Sequence, residues 1–331
     1  MNWFEKLTGF KEESPEQVRQ NIGLRGEQLV SKVNGKTYQC GTLEIPTLEY
    51  LRDLVNSLDI YEGQKNTVKQ VVGNVQDFHL DPDNQGALFQ AASQFNLLEM
   101  VGPHVTPEQG VAGYEHDRTQ GPACAIACGA GTIFRNYFIE FSTRTGQSVH
   151  EQVDCMEDME QVFRDAGLKT WNMQNGYLLT NRESLKGLNK WITSRNKLES
   201  EALKGKLKVG IQWDTEVTLN DVGHHVTQVY CSALPVAYSR VEPIYWQELA
   251  RIVLEATYEA TILAGILNKY HYGSNKVFLT LVGGGAFGNH IDWILDSVEH
   301  VLRQYHRFGL DIQFISYSAK NIDLEEMIEV L

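Results

Sequence analysis

The most informative segment of the sequence is Val277-Phe-Leu-Thr-Leu-Val-Gly-Gly-Gly-Ala-Phe-Gly-Asn289. Its first six residues are apolar or β-branched and predict a buried strand. Asn289 is predicted to cap a helix whose apolar residues recur at helical spacing up to Tyr305. Strand, loop and helix N-terminus would direct free N–H groups at one point, which is typical of a phosphate site. The predicted contact residues are Gly283, Gly284, Gly285, Ala286, Phe287, Gly288 and Asn289.

The position of this glycine loop bears on its interpretation. A tight strand–helix turn without a ligand is one alternative. A dinucleotide-binding loop is another, but that loop belongs to the first βα unit and is followed after about 20 residues by an acidic residue. Here only one predicted strand, residues 311–317, follows the loop. The late position therefore disfavours a Rossmann cofactor site.

Strands and helices alternate along most of the chain. Residues 1–65 predict an N-terminal extension with short helices and a hairpin that turns at Asn34-Gly35. Residues 150–205 predict a charged, mostly helical insertion. Strands are predicted at 67–72, 87–92, 207–213, 225–236, 277–282 and 311–317, and long helices at 123–138 and 246–267. This alternation predicts an α/β sandwich.

Composition excludes several classes of function. The formal net charge of −13 disfavours binding to nucleic acid or anionic membranes. The sequence has no signal-peptide pattern and no apolar run long enough to cross a bilayer. Five cysteines do not form a disulfide framework, and Cys124 and Cys128 are expected to be buried structural residues. We expect a cytoplasmic protein, or one secreted into a host cell, without a metal or cofactor.

Two further segments carry polar groups that could contact a ligand. Gln90-Ala-Ala-Ser-Gln-Phe-Asn-Leu-Leu-Glu99 follows an apolar strand, and the amides of Gln94 and Asn96 can both donate to and accept from hydroxyls. The loop Gly110-Val-Ala-Gly-Tyr-Glu-His-Asp-Arg-Thr-Gln-Gly-Pro122 presents Tyr114, Glu115 and Asp117 just before a predicted helix. A solvated connector is the alternative, but the step into a helix of small residues favours a ligand-lining loop.

The order of these segments resembles the macrodomain superfamily, whose members bind ADP-ribose above a mixed sheet. Val72-Gly-Asn-Val-Gln76 resembles the family's Gly-Asp-Ile-Thr element, and Ala87-Leu-Phe-Gln-Ala-Ala-Ser93 resembles its Ile-Val-Asn-Ala-Ala-Asn strand end. Residues 99–121 and 282–289 match its two ligand loops, so the resemblance covers about residues 66–318. Asn74 stands where the family has an aspartate for the adenine amino group, and Asp77 is a candidate replacement. The departures make the chain more similar to divergent glycohydrolases, such as bacterial effectors that remove ADP-ribose from ubiquitin.

The resemblance implies a three-layer α/β/α sandwich with a mixed sheet, spanning residues 66–331. It implies that the protein hydrolyses the glycosidic bond between ADP-ribose and a modified protein, with a non-catalytic ADP-ribose-binding module as the alternative. A carboxylate could stabilise positive charge at the ribose anomeric carbon or orient a water. Asp117 is the first candidate for this role, followed by Glu99 and Glu115. Asn96 would orient the ribose, Tyr114 would cover it, and Phe287 would pack on the distal ribose or base.

Overall fold

The computed structural model describes residues 1–58, 60 and 63–331. Positions 59, 61 and 62 of the predicted N-terminal extension lie outside the described residues. The helices are α1 (Trp3–Thr8), α2 (Pro15–Asn21), α3 (Leu48–Ser57), α4 (Val75–Leu80), α5 (Gln120–Ala127), α6 (Gly129–Tyr137), α7 (Glu157–Asp165), α8 (Arg182–Thr193), α9 (Lys197–Lys204), α10 (Gln247–Tyr272), α11 (Ile291–Gln304) and α12 (Ile322–Glu329). The strands are β1 (Ile22–Arg25), β2 (Gln28–Ser31), β3 (Thr37–Gln39), β4 (Thr42–Glu44), β5 (Thr67–Val72), β6 (Leu88–Ala92), β7 (Asn172–Gln174), β8 (Tyr177–Leu179), β9 (Gly210–Glu216), β10 (His225–Cys231), β11 (Lys276–Leu279) and β12 (Asp311–Ser316).

A seven-stranded mixed sheet runs through the molecule in the order β4-β9-β10-β6-β11-β12-β5. The five strands from β10 to β5 are parallel to one another, whereas β9 pairs antiparallel with both β10 and β4. The parallel strands at the centre are apolar because helices cover both of their faces.

Alternate residues of the central strands contact opposite helical layers. In β6, Phe89 stacks on His79 of α4, whereas the neighbouring Gln90 donates to Thr261 of α10. The long helix α10 lies on one face, where it also packs against α3, α8, α9 and α11. Helices α4, α5 and α6 form the other layer. The predicted α/β sandwich with a mixed sheet is confirmed.

The N-terminal residues pack against the sandwich in three ways. β1, β2 and β3 form a small antiparallel sheet. Together with α1 and α2 it shares a second core with α6, which includes Phe4, Val18, Leu29 and Tyr137. β4 joins the main sheet beside β9, and α3 packs against α10.

The helix predicted over residues 123–138 is interrupted at Cys128, where φ is −113° and ψ is 61°. Thr218 causes the break, because its N–H donates to Ala127 O and its Oγ1 accepts from Gly129 N at 2.9 Å. α5 and α6 are therefore separate helices. A side chain 90 positions away in the sequence produces this interruption, so helix propensity could not predict it.

Other boundaries also differ from the prediction. The Asn34-Gly35 hairpin is present, but residues 32–36 connect its strands instead of two residues. The short helix α4 lies between β5 and β6, where no helix was predicted. The prediction that Asn289 caps the next helix is wrong, since α11 begins at Ile291 with His290 at the capping position. The Asn289 amide instead donates to Leu234 O at 2.8 Å.

All five cysteines are buried free thiols, in agreement with the expected structural role of Cys124 and Cys128. Within the described part of the chain, no helix has the length and apolarity that crossing a bilayer requires.

His79 is a fully buried histidine between α4 and the sheet. Its Nδ1 lies 2.8 Å from Val75 O, so this nitrogen carries the proton and donates. Its Nε2 accepts from the Gln228 side chain at 3.0 Å, and its ring stacks on Phe89 with 3.8 Å between centroids. Burial lowers the pKa of His79 from 6.5 to about 4.

The burial of His79 predicts a contribution to the free energy of unfolding that depends on pH. Because the folded pKa lies below the unfolded value, the stabilisation is complete above pH 6.5 and is lost as the pH falls toward 4. We expect wild type to lose about 3 kcal/mol more unfolding free energy than His79→Gln between pH 7.5 and 4.5, at about 1.4 kcal/mol per pKa unit. Urea unfolding measures this difference, with the exposed His300→Gln as the matched control. Parallel pH profiles for wild type and His79→Gln would contradict the assignment.

Candidate active-site cleft

A cleft of about 780 Å³ opens at the carboxyl ends of the parallel strands. Ligands of open α/β sheets commonly bind at this edge, and the volume suits a small-molecule ligand. Segments that follow all five parallel strands line it, including Ala233 after β10. They include Asn74 after β5, Gln94 and Glu99 after β6, residues 280–283 and 285–287 after β11, and Tyr317 after β12.

The glycine loop has a backbone that only glycine tolerates at Gly283. Its φ is +82°, and a Cβ there would lie 2.5 Å from Ala233 Cβ. Hydrogen bonds inside the loop run from Gly284 N to Leu281 O, from Gly288 N to Gly285 O and from Asn289 N to Gly283 O. The loop therefore has a defined shape without a ligand.

Three consecutive N–H groups of this loop remain available to a ligand. Gly285, Ala286 and Phe287 all line the cleft, and no hydrogen bond within residues 1–58, 60 and 63–331 uses their N–H groups. Successive free N–H groups in a turn form a concave donor surface that suits an anion. The donors that suit an anion therefore belong to the loop backbone and not to the helix, since α11 begins four residues later, at Ile291.

Asp117 directly follows the short 3₁₀ helix Ala112–His116, called the acidic turn below, and precedes the N-terminus of α5. Its Oδ1 accepts from Thr119 N at 2.8 Å and from Thr119 Oγ1 at 2.7 Å. In the described part of the chain, no hydrogen bond uses its Oδ2. Gln120 attaches the same helix end to β6, because its side chain donates to Gln90 O at 2.7 Å and accepts from Ala92 N at 3.0 Å. These contacts fix one carboxylate oxygen of Asp117 and leave the other available in the cleft.

Glu99 lies on the floor of the cleft and is only 1% exposed. The nearest cation is Arg135, whose Nη2 is 3.7 Å from Glu99 Oε1. Arg135 is itself fully buried, donates to Leu97 O and Thr132 Oγ1, and packs its guanidinium on the Tyr230 ring. These contacts hold the Arg135 charge in a fixed position beside the carboxyl group.

The two Glu99 carboxyl oxygens have no hydrogen-bond partner among the described residues. Burial raises the pKa of Glu99 to about 8 from its usual 4.5, although the Arg135 charge opposes this shift. A carboxyl group with a raised pKa keeps its proton to a higher pH than an exposed glutamate, and in that form it can donate a hydrogen bond or a proton. Unpaired buried oxygens at a cleft surface are typical of a functional carboxyl group.

The remaining predicted contact residues divide into two groups. Asn74 lines the cleft while its Oδ1 accepts from Gln76 N and caps α4, and Gln94 lines it while accepting from Met100 N. Glu115 also lines the cleft, although its Oε2 accepts from Trp3 N at 3.2 Å. Six predicted residues do not line the cleft, namely Asp77, Asn96, Tyr114, Gly284, Gly288 and Asn289.

Asn96 and Tyr114, like Asn289, have structural contacts that occupy their side chains. Asn96 is fully buried, accepting from Leu98 N and donating to Gln152. It therefore supports the loop below the cleft, and its predicted contact with a ribose stays a prediction. Tyr114 is buried as well, and its hydroxyl accepts from Glu99 N at 3.0 Å. Tyr114 thus positions the Glu99 backbone, and its side chain does not line the cleft in which it was predicted to cover a ribose.

Several cleft residues were not anticipated from the sequence. Tyr177 of β8 packs with Tyr238 and Phe287, at ring-centroid distances of 5.0 and 5.5 Å from Tyr177. The predicted insertion at 150–205 therefore contributes an aromatic wall next to the glycine loop. Trp3 and Tyr317 also line the cleft, and Tyr317 is 72% exposed. The sequence signal that could have indicated Tyr317 as a cleft residue is its position, as an aromatic residue at the carboxyl end of the last predicted strand.

A comparison with known proteins finds solved structures that are similar to this chain, but no similarity at the level of sequence families. No protein-family model matches the sequence, and no curated protein matches it. Poly(ADP-ribose) glycohydrolase from Thermomonospora curvata, bound to the inhibitor ADP-HPD, is similar with a TM-score of 0.45 and 10% identity, covering 95% of each chain. The Deinococcus radiodurans enzyme in complex with ADP-ribose has a TM-score of 0.44 and 12% identity, covering 87% of this chain and 94% of that one. At this level of similarity, residue roles have to come from the geometry of the cleft itself.

The glycine loop offers a matched pair of substitutions. Gly283→Ala should lower the free energy of unfolding by about 1–3 kcal/mol, because it places a Cβ at positive φ against Ala233. Gly285→Ala should change it by less than about 0.5 kcal/mol, since no atom lies within 4 Å of the added Cβ. Urea unfolding of both variants measures the difference. Equal losses of stability would show that the Gly283 conformation does not determine the loop.

Proposed function

We propose that this protein is an ADP-ribosyl hydrolase, which binds ADP-ribose and cleaves the glycosidic bond that joins it to a modified protein. One observation carries the proposal. A single cleft combines the free N–H groups of residues 285–287 with the carboxyl groups of Asp117 and Glu99. The first set suits a diphosphate, and the second suits the charge that develops at a ribose during glycoside cleavage.

The order of the strands gives the proposed orientation of the ligand. The glycine loop follows β11, which lies between β12 and β6 in the sheet. A diphosphate at this loop would extend its base toward Asn74 and the exposed Tyr317, at the β5–β12 side. Its other ribose would extend toward Asp117 and Glu99, at the β6 side. A macrodomain-like binding mode, as implied by the sequence resemblance, has the same arrangement.

The chemistry requires a water to attack the ribose anomeric carbon while the bond to the protein side chain breaks. The free Oδ2 of Asp117 would stabilise the positive charge at this carbon or orient the water. Glu99, kept protonated by burial, would donate a hydrogen bond or its proton to an oxygen of the substrate. The products are ADP-ribose and the unmodified protein. Ubiquitin is one candidate carrier, and the proposed location is the cytoplasm, either of the producing cell or of a host.

A non-catalytic ADP-ribose-binding module is the second candidate. It is favoured by the local hydrogen bonds that Asp117 accepts from Thr119, because a carboxylate can be retained in the turn before a helix for that purpose alone. The two candidates agree on the ligand and differ on turnover, so binding and hydrolysis have to be measured separately.

Asp117→Asn tests the catalytic role with little structural change, since asparagine keeps the oxygen that accepts from Thr119. We expect the release of ADP-ribose from a mono-ADP-ribosylated protein to fall by about 100-fold or more. The affinity for ADP-ribose, measured by calorimetry, should change by less than about 3-fold, because the diphosphate contacts are intact. Asp83→Asn is the control for the charge change, as Asp83 is exposed and does not line the cleft.

Substrates linked through arginine, glutamate and serine should be assayed in parallel, with NAD as the competing ligand in calorimetry. Equal release by wild type and Asp117→Asn would remove Asp117 from the mechanism. Binding of ADP-ribose without release from any linkage would favour the binding module. If millimolar ADP-ribose does not bind, both candidate functions are wrong.

A further inference from the structure

The N-terminal segment reaches the acidic turn that precedes α5. This turn is a short 3₁₀ helix, Ala112–His116, and Asp117 follows it directly. Trp3, the first residue of α1, lines the cleft and donates its N–H to Glu115 Oε2 at 3.2 Å. The connection between α1 and α2 carries Glu12 to the start of the same turn.

Glu12 accepts three hydrogen bonds at the start of the turn. Its Oε1 accepts from Val111 N at 3.0 Å and from Tyr137 Oη at 2.6 Å, and its Oε2 accepts from Ala112 N at 2.7 Å. The first N–H groups of a helical turn lack intrahelical partners, and Glu12 supplies acceptors for two of them. The preceding Gly110 has a φ of +84°, and a Cβ there would collide with the Glu12 carboxylate.

The turn is therefore held at both ends. The distant residue Glu12 binds its start, whereas the local Asp117–Thr119 contact and the Gln120 contacts with β6 fix its end. If the start were released, Asp117 would keep its contact with Thr119, but the backbone that leads into it would lose its fixed path.

We infer that Glu12 is a positioning residue, which holds the acidic turn so that Asp117 faces the reacting ribose. The inference rests on the proposed hydrolase function for its catalytic consequence, although the contact itself does not depend on that function. The diphosphate-binding N–H groups belong to residues 285–287, on a different loop. Loss of Glu12 should therefore affect the catalytic step more than ligand binding.

Glu12→Gln removes this contact with little change in size. Three donors converge on the two carboxylate oxygens, but glutamine offers one oxygen, and its NH₂ group would face a backbone N–H. Glu13→Gln is the matched control, because the adjacent Glu13 is exposed and its side chain does not contact the turn. Tyr137→Phe is a milder second variant, which removes one donor and leaves both backbone contacts.

We expect Glu12→Gln to lower kcat by about 10- to 100-fold, with less than a 3-fold change in the Kd for ADP-ribose. Amide hydrogen exchange at Val111 and Ala112 should become at least 10-fold faster in Glu12→Gln and stay unchanged in Glu13→Gln. Tyr137→Phe should lower kcat by less than 10-fold. If the role of Glu12 were purely structural, Glu12→Gln would have a lower thermal stability, but its folded molecules would keep the wild-type kcat.

The exchange measurement keeps this inference separate from the proposed function. Unchanged protection of Val111 and Ala112 in Glu12→Gln would overturn the positioning role, whatever the activity. Faster exchange with wild-type kcat would overturn the catalytic consequence. If wild type itself releases no ADP-ribose, the hydrolase proposal fails, and exchange still shows whether Glu12 holds the turn. If Glu12→Gln does not fold, Tyr137→Phe is the test. A moderate loss of kcat in Tyr137→Phe would support the inference, and an unchanged kcat would reject it.

Discussion

The parallel pairing of β6, β11 and β12 is the constraint on which the cleft depends. Because these strands point in one direction, their carboxyl ends meet at the same edge of the sheet. The segment with Glu99, the glycine loop and Tyr317 each follow one of these ends, although Glu99 and Tyr317 are more than 200 positions apart in sequence. The register of the ladder therefore brings a donor surface, a buried acid and an exposed aromatic ring into one cavity.

Packing around this edge explains the properties of the individual groups. Glu99 has a raised pKa because the loop after β6 folds inward under α5, beside the equally buried Arg135. Asp117 remains at the surface of the cleft because the acidic turn passes over that loop. Burial thus raises the pKa of Glu99, which suits the acid role proposed for it, whereas Asp117 presents a carboxyl oxygen that no hydrogen bond among the described residues uses.

The sequence was sufficient for the class of fold and for the principal loops. Hydrophobic periodicity located β5, β6, β11, β12 and the core helix α10, because each buries a regular apolar face. It missed the break at Cys128 and the capping position before α11, since both follow from hydrogen bonds to distant residues. Local pattern likewise could not distinguish Glu99, which reaches the cleft, from Asn96, which supports the loop beneath it. The position of Tyr177 in the cleft could not be predicted from local pattern, because a hairpin of the predicted insertion brings this residue to the site.

The central claim is that one ligand contacts both the glycine loop and the acidic side of the cleft. A crystal structure of the protein with ADP-ribose tests this claim most directly. The account predicts diphosphate oxygens within about 3 Å of the N–H groups of Gly285, Ala286 and Phe287, with the terminal ribose beside Asp117 and Glu99. A ligand bound outside this cleft, or one whose diphosphate does not contact residues 285–287, would contradict it.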